Sequence, residues 1–456
     1  MIVNGKEIKI NRENAVVSEI DEIYIELVRY IIEHGVRVPN RTGIDTIAVP
    51  GYTFQIDLSK WFPILETKLV NAKKLTSEIQ WIHQEQSNRV DWLHERDNDT
   101  WDGWVVDEDG IYRVYEQGEN AVDDPDREVQ VFRKVKNPKT GKIELEPMFN
   151  EDGSPMMAKP WTKNDKNGKP LTIKQAIWFG PEYAGTIGVA YGAINAITHS
   201  PQCVEETLKT DPYDRRMQIS LRQDDYLVKA VLPSCVWACE FTVIGDVSKG
   251  EGVLHSVVHQ RSADVPVGLP FNVPQYAVLH YMYAKTNNLK PGIMTWVITN
   301  AHIYVNQLED IKKQIKRYDY MKEYSKFIQE NDDGMIELRY GQELKNYMTL
   351  SREVGKKFGY EILDKKMKDR LEIIRKEDEY LASLYEEAYE RNICFEHMLT
   401  RENPELELAE HDSIFDYSTE YAKKGDPYLK ENPIGNKELV LKKYHPTPFI
   451  KYEIAQ

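Results

Sequence analysis

Apolar positions recur every three to four residues across residues 19–35, EIDEIYIELVRYIIEHG. Ile23, Leu27, Tyr30 and Ile31 share one side there and Gly35 stands as a stop, which predicts an amphipathic helix. The following VPNRTGIDTIAVPGYTFQIDL alternates β-branched and polar positions after turn residues, and predicts a loop followed by strands. Helical spacing returns over 69–95, with Trp81, Ile82 and Trp92 on the apolar side, and TWDGW then sets Trp101 and Trp104 about a turn. Residues 106–182 turn rich in Asp, Lys, Asn, Gly and Pro and predict a hairpin-rich segment with exposed turns. Residues 202–209 read as helix. VKAVLPSC, CEFTVIGDV and GVLHSVVHQRS read as strands, PQYAVLHYMYAKTNN as a helix, and IMTWVITNAHIYVN as a strand entering another helix. Over 316–398 the pattern is helical and dominated by Lys, Glu and Tyr, while residues 1–18 and the closing KKYHPTPFIKYEIAQ read as extended. No internal repeat is visible.

Composition narrows the class. The chain has 456 residues, is 41% hydrophobic, and can bury a substantial core. A formal net charge of -15 argues against a nucleic-acid or membrane-surface binder, so an anionic ligand would need a local basic cluster. The cysteines are Cys203, Cys235, Cys239 and Cys394; they form neither a disulfide framework nor a metal-binding CxxC pattern, so a reduced, cytoplasmic setting without metal is expected. MIVNGKEIKI is too polar for a signal peptide, and no run of about 18 apolar residues offers a membrane span.

The chemistry-bearing residues concentrate in 232–306. This stretch opens LPSCVWACEF, carries HQRSADVPVGLPFN and closes NAHIYVN. Cys235 follows a turn, where it is either an inert buried thiol or a nucleophile; a nucleophilic thiolate needs a cationic neighbour, and Arg261 is the candidate. Cys239 reads as core. Arg41, in its Thr-Gly loop, is either a solvated arginine or an anion contact. Arg215 and Arg216 are expected at a strand end or loop, because adjacent strand residues face opposite ways. Glu78, among apolar neighbours, is either a structural pair or a tuned proton carrier. Trp101 and Trp104 are either aromatic core or a stacking wall for a flat ligand.

These motifs, in this order, resemble the thymidylate synthase superfamily. The resemblance covers residues 21–104 (HGVRVPNRTG, FPILETK, EIQWI, TWDGW), 186–315, and 403–456 (SIFDY, YHPTPFIKYEIA). It implies an α+β fold, in which helices flank a large mixed β-sheet whose face packs on that of a second subunit. One catalytic domain would span 1–456, with a hairpin-rich insertion at 105–185 and a helical one at 316–398. It implies 2'-deoxyuridylate (dUMP) as substrate and 5,10-methylenetetrahydrofolate as carbon donor. By the same resemblance Cys235 is the nucleophile, Arg41, Arg261 and Ser262 hold the phosphate, and Arg215 and Arg216 reach in from the partner of a homodimer. Asn272 reads the pyrimidine edge, and His302 and Tyr304 bind the deoxyribose hydroxyl. Glu78, Tyr191 and Asp264 serve proton transfer and folate, and Trp101 and Trp104 flank the folate.

An Asn at 272 donates and accepts at once, matching O4 and N3–H of uracil; the family's cytidylate hydroxymethylases carry an acidic residue there. The chain departs from the family at Val236 and Trp237, where His often follows the nucleophile. It departs again in TNAH before His302, where GDAH is common, and at the terminal Gln456, where the family commonly ends in a small aliphatic residue. A polar tail would admit water to the exocyclic methylene intermediate. Hydride capture gives thymidylate, whereas water gives 5-hydroxymethyl-deoxyuridylate. The expectation is thymidylate synthesis; the alternatives are a deoxyuridylate hydroxymethylase and a silent binding protein on the same fold.

Overall fold

The computed structural model describes residues 18–40, 42–115, 126–160, 172–330, 403–444, 446–447 and 449–452, with residues 2–3, 6–7 and isolated positions between 372 and 379. Arg41, Cys394, Gln456 and most of the 316–398 segment lie outside the described residues. In chain order the strands are β1 (Ile2–Val3), β2 (Lys6–Glu7), β3 (Val36–Val38), β4 (Thr46–Asp57), β5 (Ile111–Tyr115), β6 (Val129–Lys136), β7 (Ile143–Pro147), β8 (Met157–Ala158), β9 (Ile173–Trp178), β10 (Gln218–Ser220), β11 (Val236–Ile244), β12 (Val253–Gln260), β13 (Ala263–Asp264), β14 (Lys290–Tyr304), β15 (Glu405–Leu408) and β16 (Leu439–Lys442). The helices that matter here are α1 (Glu19–His34), α2 (Ala72–His83), α3 (Val90–His94), α4 (Gly192–Thr198), α5 (Ser200–Thr210), α6 (Leu269–Thr286) and α7 (Leu308–Glu330).

The central sheet runs β10-β11-β12-β14-β4-β1-β2, with β13 on β14 and β3 on β4. It is mixed, because β12 and β13 pair parallel to β14 while the other ladders are antiparallel. Strand alternation divides its two faces. Leu254, Val258, Met294, Trp296, Ile298, Phe54 and Ile56 are buried on one side, and α1 and α6 supply the facing apolar residues Ile23, Leu27, Val28, Val273, Ala277 and Val278. Burying each Val, Leu, Ile, Met or Phe among these stabilises the fold by roughly 1.5–3 kcal/mol through water release. Register places Val257 beside Thr295 and Gln55, and His259 beside Val297 and Thr53, on the opposite face, which stays half-exposed along β12 and β14.

Capping explains where the helices begin. Ser18 accepts the Asp21 amide to start α1, and Gly35 closes it as foreseen; Ile23, Leu27 and Ile31 are buried but Tyr30 is exposed. Asn71 accepts the Lys74 amide at 3.0 Å to start α2. The single helical run expected over 69–95 is two helices. Gln86, at a left-handed φ of 53°, breaks it after His83, and the Ser87–Arg89 link leads to α3.

Two strand expectations also change. VKAVLPSC is not a strand: Asp224–Lys229 is a 3-10 turn, and the chain runs irregularly to Cys235, one residue before β11. Within 106–182 the described residues form a five-stranded sheet, β5-β9-β6-β7 with β8 on β6; of the hairpins expected in this segment it contains β6–β7, but it is closed by a parallel β6–β9 pair. Its own small core is Ile111, Val131, Ala158, Ile173 and Ala176. Residues 316–330 continue α7 as helix.

Candidate functional site

The β11–β12 hairpin brings Cys235 and Arg261 together. Val236 pairs with Gln260, so the residues flanking that pair meet at one end of the ladder, and the Arg261 amide donates to Cys235 O at 2.9 Å. The Arg261 guanidinium clamps the loop: Nε donates to Ser234 O at 3.0 Å and Nη2 to Pro233 O at 2.6 Å. The same Nη2 stands 3.7 Å from Cys235 Sγ. An arginine has five N–H donors; among the described residues the Nη1 donors of Arg261 and the hydroxyl of the adjacent Ser262 take no hydrogen bond, so both are available to a ligand. Cys239 is buried core, as read from sequence.

Tyr191 closes the other side of the cysteine. Its hydroxyl accepts the Cys235 amide at 2.9 Å, and its backbone sits at φ 49°, ψ -110°, a conformation that costs a non-glycine residue about 1–3 kcal/mol. The next residue must be glycine, since a Cβ on Gly192 would lie 2.1 Å from Ser87 O. Burial, reinforced by the adjacent Cys235 sulfur, pushes the Tyr191 hydroxyl well above the usual phenol range.

Aromatic rings carry the site toward α2. Trp101 packs edge-on against Tyr191 at 5.0 Å and against Trp104 at 5.6 Å. Trp101 is buried and Trp104 half-exposed, so one indole is core and the other faces outward. Trp101 Nε1 donates to Glu78 Oε1 at 3.1 Å. Burial pushes the Glu78 carboxyl up to about 7, against hydrogen bonding from Trp101 and a smaller effect of Gln275.

Asn272 lies on the first turns of α6, with its side-chain amide engaged at both ends. Gln260 Nε2 donates to Asn272 Oδ1 at 3.0 Å, and Asn272 Nδ2 donates to Gln275 Oε1 at 3.1 Å. Asp264, on β13, pairs in register with His302 on β14. Gln307 Nε2 lies 3.3 Å from both Asp264 oxygens, yet burial still pushes this carboxyl up to about 7. Beside it Lys68 is buried, donates to Pro266 O at 2.6 Å, lies 4.6 Å above the Tyr452 ring, and is pushed down to about 7 by the same burial. For both members of this pair desolvation outweighs their mutual attraction. His302 Nδ1 meets Asn300 Oδ1 at 2.9 Å, and burial holds the imidazole at about 4, hence neutral, with the Tyr304 ring edge-on at 5.3 Å.

Arg215 and Arg216 occupy a turn before β10, as expected. Arg216 pairs with Asp214 at 2.6 Å, and within this chain neither arginine hydrogen-bonds to the Cys235 group among the described residues. Cys235, Arg261, Tyr191, Glu78 and Trp101 therefore form one connected group. Asn272 joins it through Gln275, and Asp264 and His302 stand side by side at the β13–β14 pairing.

Sequence reasoning passed over Lys68, Gln260, Gln275, Gln307 and Tyr452. The usable signal for Gln260 and Gln275 was a lone amide within otherwise apolar strand and helix patterns; for Lys68, Gln307 and Tyr452 no local signal existed. No group of three or more His, Cys, Asp or Glu among the described residues is arranged to hold a metal ion, and none of their helices is long and apolar enough to cross a membrane.

A sequence model described as thymidylate synthase matches residues 22–352. The chain is 31% identical over 297 residues to a thymidylate synthase of Clostridium beijerinckii, covering 65% of this chain and 82% of that protein. It is 29% identical over 329 residues to one of Mycoplasma pneumoniae (71% and 95%), and 28% identical over 302 residues to one of Listeria innocua (64% and 86%).

Proposed function

The chain belongs to the thymidylate synthase family, and on that premise we propose that it converts dUMP and 5,10-methylenetetrahydrofolate to thymidylate and dihydrofolate. The observation that carries the reading is the 3.7 Å approach of the Arg261 guanidinium to Cys235 Sγ, inside a group that also holds Tyr191, Glu78 and Trp101.

Cys235 Sγ adds to C6 of uracil, and the electron pair released onto C5 attacks the folate methylene carbon. Arg261 puts positive charge beside the sulfur and, with Ser262, presents donors to the phosphate. Glu78, poised near neutrality by burial, handles protons at the pyrimidine carbonyl edge. Asn272 reads O4 and N3–H, neutral His302 and Tyr304 meet the deoxyribose hydroxyl, and Asp264 and Trp104 face the folate. After loss of the C5 proton and of the folate nitrogen, hydride from tetrahydrofolate reaches the exocyclic methylene. Sγ then leaves C6, which yields the methyl product and dihydrofolate. Arg41 completes the phosphate contacts. Arg215 and Arg216 act across a homodimer formed through the half-exposed sheet face, where Trp237, Val257, Ile293 and Val297 offer apolar area.

Mass spectrometry of the nucleotide product, together with the absorbance rise of dihydrofolate, tests this reading. A methylated nucleotide formed with equimolar dihydrofolate, and lost in Cys235→Ala, is expected. A hydroxymethylated nucleotide without dihydrofolate, or no turnover, would overturn it.

A further inference from the structure

Asn272 is held in one orientation by a directional chain of hydrogen bonds. An indole N–H can only donate. Trp296 Nε1 donates to Gln260 Oε1 at 2.9 Å, which turns Gln260 Nε2 toward Asn272 Oδ1 at 3.0 Å. That in turn leaves Asn272 Nδ2 to donate to Gln275 Oε1 at 3.1 Å. Each amide's direction follows from the one before, back to a group that cannot reverse.

The chain ends on Gln275 Nε2, a buried donor that completes no hydrogen bond among the described residues. Gln275 is itself 2% exposed and faces the Glu78 carboxyl, whose charged form it favours from a distance short of hydrogen-bond geometry. Glu78 takes its other contact from Trp101, again an indole donor. Val236, next to the cysteine, is buried and apolar and contributes no polar group.

We propose that Gln275 is a positioning residue that couples Glu78 to Asn272 and, together with Gln260, holds the Asn272 amide in the orientation that selects uracil over cytosine; this rests on the reading of the site as a pyrimidine-nucleotide site. The reasoning is geometric. Uracil needs a donor at O4 and an acceptor at N3–H, whereas cytosine needs the reverse. An isolated asparagine satisfies either base by rotating its amide through half a turn. In this protein the rotation would set Asn272 Oδ1 against Gln275 Oε1 and Nδ2 against Gln260 Nε2, leaving acceptor facing acceptor and donor facing donor. Unpaired buried polar groups are what give a polar site its discrimination.

Two variants separate the two ends of Gln275. Gln275→Met keeps the length and removes both polar atoms. It is expected to lower the dUMP-over-dCMP ratio of kcat/KM by about tenfold or more, and to move the acid limb of the pH profile upward as Glu78 loses a donor. Gln275→Glu keeps an acceptor for Asn272 but sets a second carboxyl against Glu78, so discrimination is retained while the acid limb moves up further. Wild-type discrimination and an unmoved limb in Gln275→Met would overturn the proposal while leaving the function intact. If Gln275→Met does not fold, an unmoved limb in Gln275→Glu overturns it alone. Wild-type protein that neither binds nor turns over dUMP would instead sink the underlying reading, and this proposal with it.

Discussion

The Tyr191 hydroxyl accepts the backbone amide of Cys235 at 2.9 Å, across 44 residues of chain. Tyr191 sits at a strained turn and is followed by a glycine with no room for a side chain, and this backbone carries that hydroxyl. Tyr191→Phe leaves the Cys235 amide unpaired, which costs about 1–2 kcal/mol of positioning at the reacting sulfur. The expected outcome is a fall of about tenfold in kcat with a smaller change in KM for dUMP. Steady-state kinetics check it; a raised KM for dUMP with kcat unchanged would assign Tyr191 to binding alone.

Glu78 links the site to stability. Its carboxyl titrates near 7 in the ligand-free fold and near 4.5 when unfolded. Between those values the native state holds a proton that the unfolded chain has released, so stability falls as pH rises from about 4.5 to 7 and then levels. The amplitude is roughly 3 kcal/mol. Glu78→Gln removes this component. Buried His83, His280 and His302, all held below the usual imidazole value, contribute the opposite slope over much of this range. Urea midpoints should therefore change more steeply upward, or less steeply downward, with pH in the variant than in wild type. Asp264, pushed the same way, leaves a residual slope. Identical slopes in wild type and variant would show that Glu78 is not buried as described.

Asn272→Asp replaces the Nδ2 donor with an oxygen. That oxygen repels uracil O4 and accepts the cytosine amine, so preference should move toward dCMP, with dUMP kcat/KM falling by about a hundredfold or more. Competition between the two nucleotides in one assay measures the shift, and unchanged dUMP turnover would remove Asn272 from the pyrimidine edge.

Arg215 and Arg216 lie in an exposed turn with no hydrogen bond to the Cys235 group of their own chain among the described residues. If they complete a neighbour's site, Cys235→Ala and the Arg215→Ala/Arg216→Ala double variant are each inactive alone. Equal mixing after subunit exchange then restores up to about a quarter of wild-type activity, because half the dimers are mixed and each has one intact site. No recovery, with exchange verified by sedimentation of tagged subunits, would place those arginines elsewhere.

Local spacing made much of this protein legible. The α1 periodicity with its Gly35 stop, the β11, β12 and β14 patterns, the turn at Arg215–Arg216 and the ordered motifs around Cys235 and Arg261 depend on residues close in sequence. Short-range geometry therefore carries their meaning. Where long-range packing competes with local pattern the sequence misled. Apolar spacing ran unbroken through 69–95, yet Gln86 turns the chain there to bring Ser87 against Gly192. VKAVLPSC looks β-like, yet its carbonyls at Pro233 and Ser234 are bound by Arg261 rather than by a neighbouring strand.

The candidate nucleophile, the guanidinium beside it and the candidate pyrimidine reader can thus be named from sequence alone, since residue type and motif order suffice to point to them. Their orientation was not. Trp296, Gln260, Asn272, Gln275, Glu78 and Trp101 come from two strands, two helices and a turn, and only the packing of α2 and α6 on the sheet brings the hydrogen-bonded chain from Trp296 to Gln275 up to the Glu78–Trp101 pair. The direction of an amide and the burial that moves a carboxyl to neutrality depend on atoms hundreds of residues apart. The tertiary structure decided both, because burial and hydrogen-bond direction exist only once those atoms meet.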